Sequence, residues 1–318
     1  MTAEGCGTNP PVTPVTPTME YGSLYVSANI DSGLIVLDNS STEKYAPDTI
    51  TASVGTHVVR LDRMGFTSSS QTVRVGKDSL TSTFITLVAA GVQKVVLIED
   101  FSNVSCVPCV VSNAILEALT NRTYGRAKLV AIKYPTNFPA PNDPFYLANR
   151  TDANARMTYY NILFAPTTIL DGTARPTSSD SVAMKDSINV RLLLPPRFNI
   201  TIADSSVGGI YYASVRVQTL DTSGTGFNDL VLHTVVTETD ISFTTPPGSN
   251  GETEFFDVMR AMLPTRNGEA LASGNRTGTV MYSRQVVIGS GWNVAKLHTV
   301  AFVQNTRTKV IFQTGSTF

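Results

Sequence analysis

Lys94-Val95-Val96-Leu97-Ile98-Glu99-Asp100-Phe101, then Cys106-Val107-Pro108-Cys109, then residues 110–119 form the stretch from which the fold of the chain's middle is read. The run from Lys94 to Glu99 has the continuous apolar character of a strand buried on both faces. Residues 110–119 set Val111, Ala114, Ile115, Ala118 and Leu119 at helical spacing. The two cysteines therefore stand where a strand hands over to a helix. Amides at a helix N-terminus favour the thiolate of the first cysteine, and the second follows one turn later as a resolving thiol. Pro108 suits the first turn, where its missing amide has no intrahelical partner.

Counting limits the other readings of the pair. A zinc site needs a second Cys or His pair. The third cysteine is Cys6, beyond a proline-rich stretch, and the three histidines, His57, His233 and His298, are not spaced as ligands. A zinc centre and a disulfide-dense scaffold are thereby excluded, and no cofactor is implied. Each histidine falls within strand alternation and is read as structural or solvent-facing. Two readings of Cys106 and Cys109 stay open: a pair active in thiol–disulfide exchange, and an inert disulfide that only staples its domain.

Beyond the helix, residues 129–132 form a second buried strand. Residues 135–144 hold four prolines and read as an irregular insertion, followed by a helix over 147–160. Pro166 opens a third strand over 164–170, Asp171-Gly172 signals a hairpin turn, and 180–194 reads as helix. Strands alternating with helices make an α/β domain of 91–194. From Pro195 the pattern turns to short alternating strands at 198–203, 211–220, 230–238, 255–263, 279–288, 297–304 and 309–314, which fits an immunoglobulin-like sandwich. Trp292, on a turn after Gly289-Ser290-Gly291, is expected to cap a core edge.

On the N-terminal side, residues 7–18 carry four prolines among threonines and form an extended spacer. Residues 21–90 alternate as short strands and turns, a small β-sandwich. The whole chain has 318 residues, a formal charge of -1 and only 15% charged residues, with 41 threonines supplying much of its polarity. Such a chain offers no field for nucleic acid or an anionic membrane. No apolar run approaches the roughly 20 residues that span a bilayer.

Resemblances add to this reading. Asp100-Phe101 before Cys106, and Pro166 about 60 residues after it, match the buried acid, the aromatic and the cis-proline strand of thioredoxin-like proteins. The resemblance implies Cys106 as nucleophile, Cys109 as resolver and Asp100 as a proton relay with a raised pKa. It also implies a cis Ala165–Pro166 bond facing the disulfide and Cys106 as the more exposed sulfur. Ser105 stands where thioredoxins usually carry Trp. Val54-Gly55-Thr56-His57-Val58-Val59-Arg60-Leu61 with Gly65-Phe66 resembles the PEGA domain of bacterial surface proteins, with Asp31-Ser32-Gly33-Leu34 in place of its namesake tetrapeptide. Residues 91–318 look like the Omp28-related family. The resemblance rests on residues 96–101, Ala165-Pro166-Thr167, Asp171-Gly172, residues 259–264 and residues 300–304. That family joins a thioredoxin-like domain to an immunoglobulin-like one outside the cytoplasm of Bacteroidetes and related bacteria.

Cys6 followed by the Pro/Thr stretch resembles the start of a mature bacterial lipoprotein, which implies a lipid on Cys6 as the only link to a membrane. No basic and apolar leader precedes it, so a signal peptide is not expected within this chain. The expected architecture is an α+β multidomain chain: a tether over 1–20, a PEGA-like β-domain over 21–90, a thioredoxin-like domain over 91–194 and an immunoglobulin-like sandwich over 195–318. The expected partners are protein thiols or disulfides, with self-association through strand edges as the structural alternative.

Overall fold

The computed structural model describes residues 19–63, 65–221, 229–271 and 278–318. Cys6 and the Pro/Thr stretch 7–18 lie outside them. The chain divides into two compact units between Leu87 and Val88.

The first unit is built from β1 (Tyr21–Ala28), β2 (Gly33–Leu37), β3 (Ser40–Ala46), β4 (Asp48–Ser53), β5 (Gly55–Asp62), β6 (Ser69–Val75) and β7 (Leu80–Ile85). One sheet has the order β4-β1-β7 and the other β3-β2-β5-β6. Alternation turns Leu24 and Val26 of β1 inward and Tyr21 and Tyr25 outward. The two inner faces meet in a core that includes Leu24, Val26, Ile35, Ile50, Val59 and Leu61. Asn29 ties off the end of this unit: its Nδ2 donates to the Leu87 carbonyl (2.9 Å) and its Oδ1 accepts from the Leu87 amide (2.8 Å).

The second unit runs β8 (Val96–Ser102), α1 (Val107–Ala118), β9 (Leu129–Pro135), α2 (Pro144–Ala148), α3 (Arg150–Tyr160), β10 (Thr167–Leu170) and α4 (Ser181–Leu192). It continues through β11 (Phe198–Val207), β12 (Ile210–Thr219), β13 (Leu230–Glu238), β14 (Val258–Leu263), β15 (Thr279–Val287), β16 (Leu297–Asn305) and β17 (Ile311–Ser316). As expected, β8 and β9 are buried on both faces. The pair is parallel, and β10 lies antiparallel on the other side of β8. Even-numbered side chains of β8 such as Val96 and Ile98 pack under α1 and α4, with Leu116, Leu119, Met184 and Ile188. Odd-numbered ones such as Leu97 and Phe101 pack with Met157 and Tyr160 of α3 and with Val235, Val300 and Phe302 of the sandwich.

That last core departs from the expected boundary at residue 195. The principal sheet is one ladder, β10-β8-β9-β14-β13-β16-β17, which crosses from the α/β half into the sandwich half. The crossing rests on a single parallel register pair, Lys133 with Val258. A second sheet, β11-β12-β15, closes the sandwich over Phe198, Val215, Val217, Leu232 and Val303.

Three local expectations are corrected. The single helix over 147–160 is two helices, because Asn149 (φ -148°, ψ 68°) leaves the helical region and caps α3 by accepting from the Asp152 amide (3.2 Å). Asp171-Gly172 makes its turn with positive φ at both residues, but one bridge, Leu170 to Ala174, replaces the hairpin. Gly172 is required there, since a Cβ would lie 1.8 Å from the Lys309 carbonyl oxygen. In α1 the apolar stripe read from the sequence is only partly the buried face: Leu119 is buried and Ile115 packs against the same core, but Val111 is 53% exposed, whereas Ser112 and Asn113 are buried. Trp292 does pack at a core edge, against the cluster of Tyr211, Val236 and Leu263.

Candidate functional site

Cys106 is the N-cap of α1 in extended conformation, with no side chain capping the helix and Pro108 in its first turn. Its sulfur is bonded to that of Cys109, with the two Cα atoms 5.2 Å apart. The expected difference in exposure is not found, since Cys106 is 2% exposed and Cys109 is fully buried.

The loop entering the pair is held from two sides. From the proline-rich insertion, Asp143 Oδ2 accepts from the Val104 amide (2.9 Å) while its Oδ1 caps α2 through the amides of Phe145 and Tyr146. Asn103 donates through Nδ2 to the carbonyls of Thr136 (2.6 Å) and Ala140 (3.0 Å) and accepts from the Ser105 amide (2.9 Å). From the sandwich, the Asn250 amide donates to the Val104 carbonyl (3.2 Å) and its Nδ2 to the Cys106 carbonyl (3.4 Å). Sequence does not announce these braces: Asp143 and Asn103 lie in loops, and residues 243–253 are remote in the chain. The one usable signal was the clustering of Asn, Asp and Pro at 135–144, residues that serve as caps and turn formers.

Asp100 lies on the α1-covered face of β8, opposite Lys133 on β9 and Thr168 on β10. It is fully buried, and the Thr168 hydroxyl donates to Oδ1 (2.8 Å) while Oδ2 has no hydrogen-bond partner. Burial pushes its pKa up to about 6, against the opposing pull of Lys133 and the Thr168 hydrogen bond. Ala165–Pro166 is cis. Pro166 and Pro108 line one cavity of about 390 Å3 with Phe164, Thr168 and Arg175. The structure thus sets Asp100 and Pro166 around Thr168: the acid through its hydrogen bond, the proline through the cavity.

Two other polar groupings compete for attention. Glu99 and Arg156 are both buried and form an ion pair, with Arg156 Nε 2.9 Å from Glu99 Oε1. Tyr160 donates to the other Glu99 oxygen, and Gln304 bonds both Arg156 (3.2 Å) and the Tyr160 hydroxyl (2.8 Å). This network sits on the odd-numbered face of the sheet, away from the cysteines, and joins the two halves of the unit. In the first unit, His57 is buried between Asp38 and Ser53. Its Nδ1 lies 2.6 Å from Asp38 Oδ2 and its Nε2 2.8 Å from the Ser53 carbonyl, and the Asp38 hydrogen bond raises its pKa. Both nitrogens face acceptors, which favours imidazolium and leaves no lone pair to take a proton from the Ser53 hydroxyl at 3.4 Å. His233 is neutral by burial and stacked on Phe302, and His298 stacks on Phe318. Among the described residues no group of three or more His, Cys, Asp or Glu is placed to hold a metal ion. None of their helices is long and apolar enough to cross a membrane.

The fold and site together define a β-rich chain whose second unit carries a strand–CxxC–helix disulfide sharing one sheet with a β-sandwich. Among solved structures it is similar to HBP35 of Porphyromonas gingivalis, at 14% identity and a TM-score of 0.59 over 70% of this chain and 74% of that one. A protein of Agrobacterium tumefaciens matches at 14% identity and a TM-score of 0.44, covering 71% of this chain and 95% of that one. A domain of the outer membrane lipoprotein Omp28 from Porphyromonas gingivalis matches at 15% identity and a TM-score of 0.28, over 38% of this chain and 86% of that one. No protein-family model matches the chain, and no curated protein matches it.

Proposed function

We propose that this is an extracytoplasmic bacterial surface protein whose thioredoxin-like half carries out thiol–disulfide exchange through Cys106. The observation that carries the reading is the combination at one helix start: a disulfide closed at the uncapped N-terminus of α1, on the sheet face that also holds Asp100 with an unpartnered oxygen. A partner thiolate attacks the Cys106 sulfur, forms a mixed disulfide and releases Cys109, while the helix amides favour the Cys106 thiolate that leaves in the second step. Asp100, titrating near 6, supplies the proton that Cys109 takes up. The partner's second thiolate then displaces Cys106, so two electrons pass to the pair and the partner leaves as a disulfide. The cavity beside Pro108 and Pro166 offers a partner peptide an apolar wall.

The compartment rests on the sequence: Cys6 with the Pro/Thr stretch after it resembles the start of a mature bacterial lipoprotein. The first unit is the PEGA-like module of this reading, and Cys6 its lipid anchor. The test is equilibration of the Cys106–Cys109 pair in glutathione buffers. An exchange-active pair has a potential above about -270 mV, and Cys109→Ser traps mixed disulfides through Cys106. A potential below about -300 mV with no trapped partner overturns the reading.

The burial of both sulfurs favours a second reading, in which the disulfide is a staple within a structural or self-assembling surface protein. Among the described residues β15 pairs with β12 alone, and its other edge is where a second copy would add.

A further inference from the structure

The residues flanking the disulfide are open to solvent on one side: Val107 is 67% exposed and Pro108 is exposed, yet Cys106 beside them is 2% exposed. A loop of the sandwich half meets residues 104–106, the segment that leads into and includes Cys106. Residues 243–253 leave and rejoin the fold at a two-residue antiparallel ladder, Ile241–Ser242 against Glu254–Phe255. An edge-to-face cluster of Phe145, Phe243 and Phe255 anchors that base. The tip reaches back to the cysteine loop, and Gly248 touches it so closely that a Cβ would lie 2.2 Å from the Val104 carbonyl oxygen. The Ser249 amide donates to Ser105 Oγ (3.2 Å), and Asn250 donates to the carbonyls of Val104 and Cys106. Asn250 is braced in turn by Glu252, whose carboxylate also accepts from Asn113 Nδ2 (2.8 Å).

We propose that residues 244–252 are a removable cover of the Cys106–Cys109 disulfide, and that exchange at Cys106 requires the tip to lift. The inference rests on the exchange-active reading of the pair. The tip is held by a few polar contacts and no apolar core, which is the signature of a segment that opens locally at small cost. Its base is held by packed aromatic rings and stays put. Pro246 and Pro247 stiffen the approach to the tip, and Gly251 (φ 87°) supplies the bend beyond it. A partner protein that takes over the hydrogen bonds of Val104, Ser105 and Cys106 would displace the cover as it docks, so access would depend on recognition.

The test is the rate at which dithiothreitol reduces the disulfide in the full chain. Its thiolate attacks the Cys106 sulfur, Cys109 leaves and is protonated, and the second thiol closes a cyclic disulfide while releasing Cys106. Asn250→Ala removes the side-chain bond to Cys106 and the brace to Glu252, and is expected to speed reduction about tenfold with the reduction potential unchanged. Gly248→Val forces the tip off Val104 and should speed it further. If Gly248→Val does not fold, Asn250→Ala alone carries the test. Unchanged rates in folded variants overturn the cover. The potential reports separately on the redox reading: a value below about -300 mV sinks that reading whatever the rates do.

Discussion

Asp100 shows how a single burial sets a pH dependence. Its ionised form is disfavoured because β8 carries it under α1, and the neighbouring Lys133 and Thr168 recover only part of the lost hydration. The native state therefore holds the proton more tightly than the unfolded chain does. The stability this confers is complete below the ordinary aspartate range and is lost as pH rises through about 6. Asn keeps the acceptor for the Thr168 hydroxyl and carries no charge. Asp100→Asn should match the wild type near pH 4 and exceed it above pH 7 by up to about 3 kcal/mol, as read from urea unfolding across that range. The same variant should slow release of Cys109 in exchange, because the proton source is gone. A variant that is more stable yet slower at disulfide exchange separates the functional role of this acid from its structural penalty.

Among the elements, α3 carries the heaviest polar investment. Its Arg156 is almost completely buried, paired with Glu99 of β8, and lies over the rings of Tyr159 and Tyr160 at 4.8 Å from each centroid. Gln304 of β16 completes the set, so strand, helix and sandwich are bonded to one another at a single point. Removing one member leaves a buried charge without its partner. Arg156→Ala should cost about 3–5 kcal/mol, and Glu99→Gln somewhat less because the amide still accepts. A double-mutant cycle between the two by chemical denaturation measures the coupling, and additive losses would mean that the pair is not the linchpin. None of these residues stood out in the sequence, because a lone Arg on a helix and a Glu in an apolar run carry no signal of partnership 57 positions apart.

For the molecule as a whole, the join between the two halves of residues 88–318 decides cooperativity. Backbone pairing across it is one register pair, Lys133 with Val258, but Leu97, Phe101 and Tyr160 share a core with Val235, Val300 and Phe302. Calorimetry should therefore find residues 88–318 melting in one transition, and a fragment ending at residue 194 should expose the apolar odd-numbered face of β8 and fail to fold. Two separate transitions within 88–318 would show that the expected boundary is also an energetic one. What the sequence made legible follows from period and punctuation: the buried runs of β8 and β9, the helix after the cysteines, and the seven sandwich strands within a few residues of their ends. What stayed hidden depends on contacts between distant segments. Val111 belongs to the apolar stripe yet is exposed, and Ser112 and Asn113 lie off it yet are buried, because helical spacing cannot reveal that Glu252 arrives from the sandwich to bond Asn113. The insertion at 135–144 was recognised as irregular, but its work in bracing Val104 and Ser105 is written in carbonyl positions that no side-chain pattern encodes.

The remoteness of residues 243–253 also bears on when the disulfide can be made. Cys106 and Cys109 precede the segment that contacts their loop by roughly 140 residues, so in an exported chain they reach an oxidising compartment ahead of it. During that interval both thiols stand at a nascent helix end, open to an oxidant. Once the sandwich has closed, Cys106 is 2% exposed and the same oxidant finds it covered. Oxidation during export is thus direct, whereas oxidation of finished protein must wait for the tip to lift. Whether a given molecule carries the bond is then a record of the environment it met while still incomplete.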